Sequence, residues 1–239
     1  MQNGKLYLIP TPLGEDALHS IPAYVVDLIH KIEYIVAERA KTARHFIKAT
    51  ETPRAMPTYE VSELNNRTPQ NELDRMLQPV FEGKDVGIMS EAGCPGIADP
   101  GARLVALAHQ RGVQVVPLVG PSSILLALMA SGLNGQNFRF LGYLPAKVEK
   151  LAETLKKLDL RAKNENQTQL FIEAPYRNRQ MIEQALNVLS PNTLFCIAAD
   201  LTLETEYVVT KNISDWRKTE IPDLHKRPAI FLLGAGLMK

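Results

Sequence analysis

The sequence predicts a two-domain α/β protein, and three observations predict it. Short apolar runs alternate with segments of helical periodicity through most of the chain, the pattern of βα units that feed a largely parallel sheet. The last third breaks this alternation and sets strand patterns side by side, which calls for a second, mixed sheet. With 239 residues, 45% of them hydrophobic and 22% charged, the chain has apolar material for two cores without staples.

The elements follow in order. Residues 5–10 read as the first strand. Residues 21–32 read as a helix with Ser20 as cap, Pro22 near the first turn, and Val25, Val26, Ile29 and Ile32 on one face. A strand at 34–37, a helix at 40–48, a strand at 55–59 and a helix at 71–82 come next, with Pro79 marking an early end or a kink. Residues 85–90 are a strand, 101–111 a helix and 114–118 a strand, which completes an open doubly wound sheet. A very apolar helix at 122–130 reads as ordinary core, although it would also serve a dimer interface. A strand at 138–142 follows, with Phe140 and Tyr143 read as strand core in preference to base-stacking groups. The next helix carries Leu151, Leu155 and Leu158 on one stripe and gives way to a polar loop at 163–167. Strands at 169–173 and 194–199 flank a helix with Met181, Ile182, Ala185, Leu186 and Leu189, and residues 206–233 hold two strands around a short helix near 214–217. The turn at 117–121 marks the boundary, giving domains 1–118 and 119–239 with a cleft between them as the default small-molecule site.

Composition narrows the function classes. The formal net charge of +1 leaves no broad basic footprint, so any contact with nucleic acid must use a local patch. Lys41, Arg44 and Lys48 recur at helical spacing and supply one, unless they are simply a solvated helix face. Cys94 and Cys196 form neither a disulfide framework nor a metal-ligand pattern, and the five histidines are scattered, so no metal is expected. Residues 1–10 do not read as a signal peptide, and no apolar run approaches the roughly 20 residues of a membrane span. The expected compartment is the cytoplasm. The dinucleotide fingerprint, the P-loop and the G-x-S-x-G elbow are all absent.

What is present gathers at strand ends. Residues 90–101, Ser-Glu-Ala-Gly-Cys-Pro-Gly-Ile-Ala-Asp-Pro-Gly, follow a predicted parallel strand and open a helix, where ligands bind in open α/β sheets. Its glycines permit close backbone approach and its prolines hold the loop rigid. Val119-Gly120-Pro121-Ser122-Ser123 repeats the logic, with backbone N–H groups and hydroxyls at a helix start. Residues 10–14, Pro-Thr-Pro-Leu-Gly, and 173–177, Glu-Ala-Pro-Tyr-Arg, follow two further strands. A bland reading accompanies each: a tight βα turn, an ordinary cap. Cys94 reads as a small packed residue of its turn rather than a nucleophile.

Taken in order, these segments together with Gly142-Tyr143-Leu144-Pro145-Ala146-Lys147 resemble the ribosomal small-subunit RNA (cytidine-2′-O)-methyltransferases, a branch of the tetrapyrrole methylase superfamily, over nearly the whole chain. The resemblance implies a class III methyltransferase fold, S-adenosylmethionine held in the cleft between the domains, and a homodimer. It assigns the cofactor to Pro10, to Gly93, Cys94, Pro95 and Ile97, to Gly120, Pro121 and Ser122, and to Pro175 and Tyr176. The chain also departs from the family. It reads Ala37-Glu38-Arg39-Ala40-Lys41 where Ala-Glu-Asp-Thr-Arg is usual, and Ala199-Asp200-Leu201-Thr202-Leu203 where Arg-Glu-Leu-Thr-Lys is usual, with the loss of two cations. Glu15-Asp16-Ala17 replaces an Asn-rich turn, and Cys94 stands where threonine is usual.

A ribose hydroxyl is a poor nucleophile and benefits from a group that takes its proton. Glu38, with Lys41 beside it, is the catalytic candidate, unless it is only a carboxylate at a helix start. Arg44, Glu91, Lys147 and Arg177 are candidates for holding the substrate. Three readings stand at this point: an RNA ribose methyltransferase, a methylase of a small tetrapyrrole-like molecule, and a non-catalytic relative that binds S-adenosylmethionine.

Overall fold

The computed structural model describes residues 3–235. The chain divides after Ser122 into two compact units, Met1–Ser122 and Ser123–Lys239.

In the first unit β1 (Lys5–Ile9), β2 (Tyr34–Ala37), β3 (Glu60–Glu63), β4 (Val86–Met89) and β5 (Gln114–Pro117) form a parallel sheet in the order β3-β2-β4-β1-β5. Parallel neighbours need crossovers, and α1 (Ala23–Ile29), α2 (Ala40–Ala49), α3 (Gln70–Phe81) and α4 (Gly101–Gln110) supply them. The pleat sorts the two faces. Ile9, Ile35 and Met89 pack with Val25 and Ile29 of α1 and Phe46 and Ile47 of α2. Leu6, Val36 and Ile88, pointing the other way, pack with Leu73 and Leu77 of α3 and Leu104 and Leu107 of α4. Helices on both faces make this the doubly wound sheet the alternation predicts.

Three readings of this unit are corrected. Residues 55–59 hold a 3-10 turn, Met56–Thr58, and the strand comes after it at Glu60–Glu63. Pro57 has no N–H to give a ladder, and β3 is an edge strand whose Glu60, Ser62 and Glu63 are exposed, so Val61 is its only apolar signal. Ser20 does not cap α1: its hydroxyl donates to the Ala17 carbonyl at 2.6 Å inside a 3-10 turn, Pro22 takes the N-cap position, and the helix ends at Ile29. Pro79 does not end α3 early. It lies in the last turn, where one lost hydrogen bond is offset by burial of Leu77 and Val80, and the helix runs on to Phe81.

The second unit carries β6 (Phe138–Tyr143), β7 (Thr168–Ile172), β8 (Leu194–Ala199), β9 (Tyr207–Asn212) and β10 (Ala229–Gly234) in the order β6-β7-β10-β8-β9. Only β6 and β7 are parallel; the remaining pairs are antiparallel, which makes the sheet mixed. The helices are α5 (Ser123–Ser131), α6 (Val148–Asn164), α7 (Asn178–Val188) and the short α8 (Ile213–Trp216). Leu151, Leu155 and Leu158 of α6 and Met181, Ile182 and Ala185 of α7 cover Phe171, Phe195, Phe231 and the fully buried Trp216. On α5, Ala127 and Leu128 are buried, whereas Met129 is 77% exposed, so the core reading holds for one side of that helix only. Tyr143 also differs from expectation. An extra residue between Phe140 and Tyr143 shifts the register with β7, Gly142 turns at φ +67°, and the Tyr143 side chain is left 64% exposed while Phe140 stays half-buried. Among the described residues no helix is long and apolar enough to cross a membrane.

Candidate functional site

The strand order of the first unit places a topological switch point between β4 and β1. The chain leaves β1 toward β2 by way of α1 on one face and leaves β4 toward β5 by way of α4 on the other, so the loops after these two adjacent central strands lie side by side at the carboxyl end of the sheet, where ligands bind in open α/β folds. Candidate residues sit on both loops. Thr11 and Gly93 exchange backbone hydrogen bonds, each at 3.0 Å, and so tie the loop after β1 to the loop after β4. The loop after β5 joins them: the Cys94 thiol donates to the Pro121 carbonyl at 3.4 Å, and Gly120 lies so close to Pro10 that a Cβ there would sit 2.2 Å from the proline ring. Val119 N–H donates to the Tyr24 hydroxyl at 3.0 Å, which fixes that loop to α1. The structure thus brings together Pro10, Gly93, Cys94, Pro95, Gly120 and Pro121. Ser122, half-buried, continues the same segment.

Backbone geometry explains the glycines of the 90–101 loop. Gly93 and Gly96 take φ of +79° and +83°. The Asp99 carboxylate clasps the loop by accepting the N–H groups of Gly96 at 2.9 Å and Gly101 at 2.7 Å. The sequence reading missed Asp99, although an Asp followed by Pro-Gly at a helix start is a turn signal that would have found it. Nothing lies within 4 Å of where a Gly96 Cβ would be, and beside it Ile97 is 51% exposed; on the neighbouring loop Val119 is 69% exposed. The rim therefore presents open backbone and apolar side chains.

Carboxylates line the part of the rim nearest β2. Glu38 and Asp99 share a shallow depression with Met89 and Pro100. Partial burial, then the charges of Asp99 and Glu91, push the Glu38 carboxyl above its ordinary value, against a smaller pull from Arg39. Burial also raises Asp99, and the two backbone hydrogen bonds only partly offset it. Thr42 of α2 donates to Glu91 at 3.2 Å, so Glu91 is anchored to the helix that follows Glu38. The Ala40 N–H at the start of α2 donates to the Glu63 carboxylate at 2.8 Å, so Glu38 is not the group that caps this helix. Lys41 and Arg44 are exposed on α2. Burial pushes the Cys94 thiol up, in keeping with a protonated donor rather than a nucleophile.

The remaining candidates lie in the second unit. Pro175, Tyr176 and Arg177 form a 3-10 turn after β7. Tyr176 is 68% exposed, and the Arg177 guanidinium lies 5.7 Å from its ring centre while pairing with the buried Glu173. Arg177 is therefore a cation that already has a carboxylate partner. Lys147 is exposed at the N-cap of α6, with no side chain capping that helix. The loop 200–206, where the family cations are missing, is held by Arg227, which donates to Asp200 at 2.6 Å and to the Thr205 carbonyl at 2.6 Å. Among the described residues no group of three or more His, Cys, Asp or Glu is placed to hold a metal ion.

Open backbone, apolar side chains and carboxylates at the carboxyl ends of a doubly wound sheet mark the place where such folds bind small molecules. Comparison with known proteins makes the class specific. The sequence profile of the Tetrapyrrole (Corrin/Porphyrin) Methylases matches residues 5–216, and the chain belongs to this family of methyltransferases. It is 31% identical over 207 residues to the ribosomal RNA small subunit methyltransferase I of Vibrio cholerae, a match that covers 85% of this chain and 67% of that protein. To the protein of the same name from Escherichia coli O157:H7 it is 30% identical over 210 residues, 86% of this chain and 68% of the other. The fold is shared with the methyltransferase CobJ, at 18% identity and a TM-score of 0.65, covering 99% of this chain and 96% of that one. Cobalt precorrin-4 methyltransferase CbiF shares it too, at 17% identity and a TM-score of 0.61 over 96% of this chain and 94% of the other.

Proposed function

We propose that the protein transfers a methyl group from S-adenosylmethionine to a ribose 2′-hydroxyl of small-subunit ribosomal RNA, in the cytoplasm and as a homodimer. The observation that carries this reading is the stitched rim of the first unit, where the loops after β1, β4 and β5 present open backbone and apolar side chains beside Glu38, Glu91 and Asp99. That combination fits a nucleoside that carries a positive charge. The relatives named for ribosomal RNA favour RNA as the acceptor over a small tetrapyrrole.

When bound, the cofactor supplies an activated methyl group with a good leaving group, so the protein's own task is positioning and proton removal. Pro10, Gly93, Cys94, Pro95, Ile97, Gly120, Pro121 and Ser122 hold it in this reading, and the resemblance gives Pro175 and Tyr176 the same task. Glu38 takes the proton of the ribose hydroxyl. Its raised pKa makes it a stronger base than an ordinary carboxylate once ionised. Lys41, exposed in the first turn of α2, favours the ionised state of the reacting hydroxyl in this reading. Arg44, Glu91, Lys147 and Arg177 position the substrate, Arg177 through its pairing with Glu173.

Calorimetric titration with S-adenosylmethionine, followed by transfer of labelled methyl to isolated small ribosomal subunits, tests the reading. Cofactor binding with label recovered on a ribose supports it. Label on a base, or binding with no RNA labelling, overturns the assigned acceptor, and absence of binding overturns the cofactor.

A further inference from the structure

The charges of α2 are distributed unlike those of the rest of the molecule. The chain as a whole holds 27 Lys and Arg against 26 Asp and Glu, yet between Glu38 and Glu51 it has Arg39, Lys41, Arg44, His45 and Lys48 and no acid. Burial fixes how the helix turns. Ala43, Phe46 and Ile47 face the core at 4%, 7% and 0% exposure, and at 3.6 residues per turn Lys41, Arg44, His45 and Lys48 then share an outward arc of about 100°. The ion pairs among the described residues all lie elsewhere; none uses Lys41, Arg44 or Lys48. Exposed helical lysines and arginines elsewhere do find acids one turn away, as Lys157 finds Glu153 and Arg179 finds Glu183. α2 itself holds no acid, and Glu38 and Glu51, which stand beyond its two ends, form no ion pair with Lys41 or Lys48.

We infer that the outward face of α2 is a phosphate-binding surface for RNA, with Arg44 and Lys48 leading the backbone away from the reacting nucleotide. The inference rests on the RNA reading above and extends it to a surface. Lys41 to Lys48 spans about 10 Å along the helix axis, enough to meet more than one phosphate. The stripe starts within one turn of Glu38, whose carboxylate neighbours Asp99 and Glu91 disfavour a phosphate at that point. A chain whose ribose is at Glu38 therefore finds negative charge beneath the sugar and positive charge along the flank, which suits a strand docked by its backbone. Such contacts set register and carry no sequence information. Their mark is salt dependence: each phosphate neutralised on a single strand contributes about −0.7 to the slope of log K against log salt.

The test compares wild-type protein with Arg44→Gln/Lys48→Gln and with the charge-preserving Arg44→Lys/Lys48→Arg. Binding of a fluorescein-labelled single-stranded RNA oligonucleotide is followed from 50 to 300 mM salt (about a sixfold range, wide enough to read slopes of the size expected), with cofactor affinity measured alongside to show that each variant folds. The slope falls by about 0.7 for each cation removed in the Gln variant and is kept in the charge-preserving one. An unchanged slope in the Gln variant, with wild-type protein binding and methylating RNA, overturns the surface and leaves the RNA reading standing. No salt-dependent RNA binding by wild-type protein, together with no RNA labelling, overturns the RNA reading and this surface with it.

Discussion

In the first unit a backbone pair and a few part-buried side chains, Cys94, Asp99 and Tyr24, join the loops at the strand ends; in the second, clusters of buried polar side chains join them. Thr11 meets Gly93, and the carbonyl of Pro121 receives a thiol, across loops that keep Ile97 and Val119 exposed. By contrast, the Asp159 carboxylate of α6 accepts the hydroxyls of Ser190 and Thr193, the Ser190 N–H and the Lys163 ammonium. Asn178, only 1% exposed, donates to the carbonyls of Leu224 and Arg227, and Arg217 donates to the last carbonyls around α7 at Leu186 and Leu189. Loops held by so few side chains, with Ile97 and Val119 exposed, leave open surface for a ligand. Loops that hold themselves by buried polar side chains have committed those groups to the fold. Substitutions in the first unit should then change chemistry at little cost in stability, and substitutions in the second the reverse.

Glu38→Gln gives the largest expected effect and the sharpest test of the first half of that comparison. Removal of a general base lowers the rate of methyl transfer by about 10²- to 10⁴-fold. Because burial, Asp99 and Glu91 hold Glu38 above its ordinary value of 4.5, wild-type activity rises with pH through that shifted value and the variant loses this limb. Thermal stability is unchanged or slightly higher, since an ionised carboxylate facing two others has been removed. Loss of stability with the acid limb intact would make Glu38 structural.

Trp216→Ala tests the other half. The ring is fully buried and its N–H donates to the Phe195 carbonyl at 2.7 Å, so the variant leaves a cavity and removes a buried hydrogen bond. About 3–5 kcal/mol of stability is lost, read by urea titration. Affinity for S-adenosylmethionine, measured where the variant is still folded, stays near wild type if the cofactor depends on the first unit's rim.

Asp159→Asn comes next, at about 2–3 kcal/mol, because four donor groups lose an ionised acceptor. Burial alone would raise this carboxyl; the hydrogen bonds from Ser190, Thr193 and Lys163 outweigh it and hold it below its ordinary value of 3.8. A carboxyl depressed by folding stabilises above the unfolded value and ceases to do so as pH falls through the folded one. Wild-type stability therefore drops on acidification below about pH 4, and the variant's drops less there. Equal acid sensitivity of the two proteins would place the node's stabilisation in its uncharged contacts.

The same contrast explains what the sequence made legible. The parallel sheet is visible because each buried strand is a short apolar run and each crossover has helical spacing, and the glycine- and proline-rich loops at 10–14, 90–101 and 117–122 mark its strand ends. β3 escaped because an edge strand of Glu, Val, Ser and Glu has almost no apolar pattern. Tyr143 was misread because period-2 alternation assumes an unbroken register, and a bulge at Gly142 breaks it. The pairing of Arg177 with Glu173 is hard to read from sequence because Glu173, although only four residues away, belongs to a strand end and not to the same helix. The Asp159 node is invisible for another reason: its partners are about thirty residues distant and meet only when α6 packs against the turn after α7.

Tyr24 is the least legible of the site's supports and gives the smallest expected effect. Its ring is 49% exposed on α1, its hydroxyl is 3.0 Å from Val119 N, and 95 residues of chain separate the two. Tyr24→Phe removes one hydrogen bond from a loop that Cys94 and Pro10 still hold, so stability falls by no more than about 1 kcal/mol. The loop that begins at Val119 also carries Gly120, Pro121 and Ser122, and freeing its first N–H widens the conformations from which a ligand must select. Affinity for S-adenosylmethionine weakens a few-fold while the melting temperature barely moves. A shift in melting temperature without a change in affinity would mean that the first unit, too, uses its side chains chiefly to hold the fold.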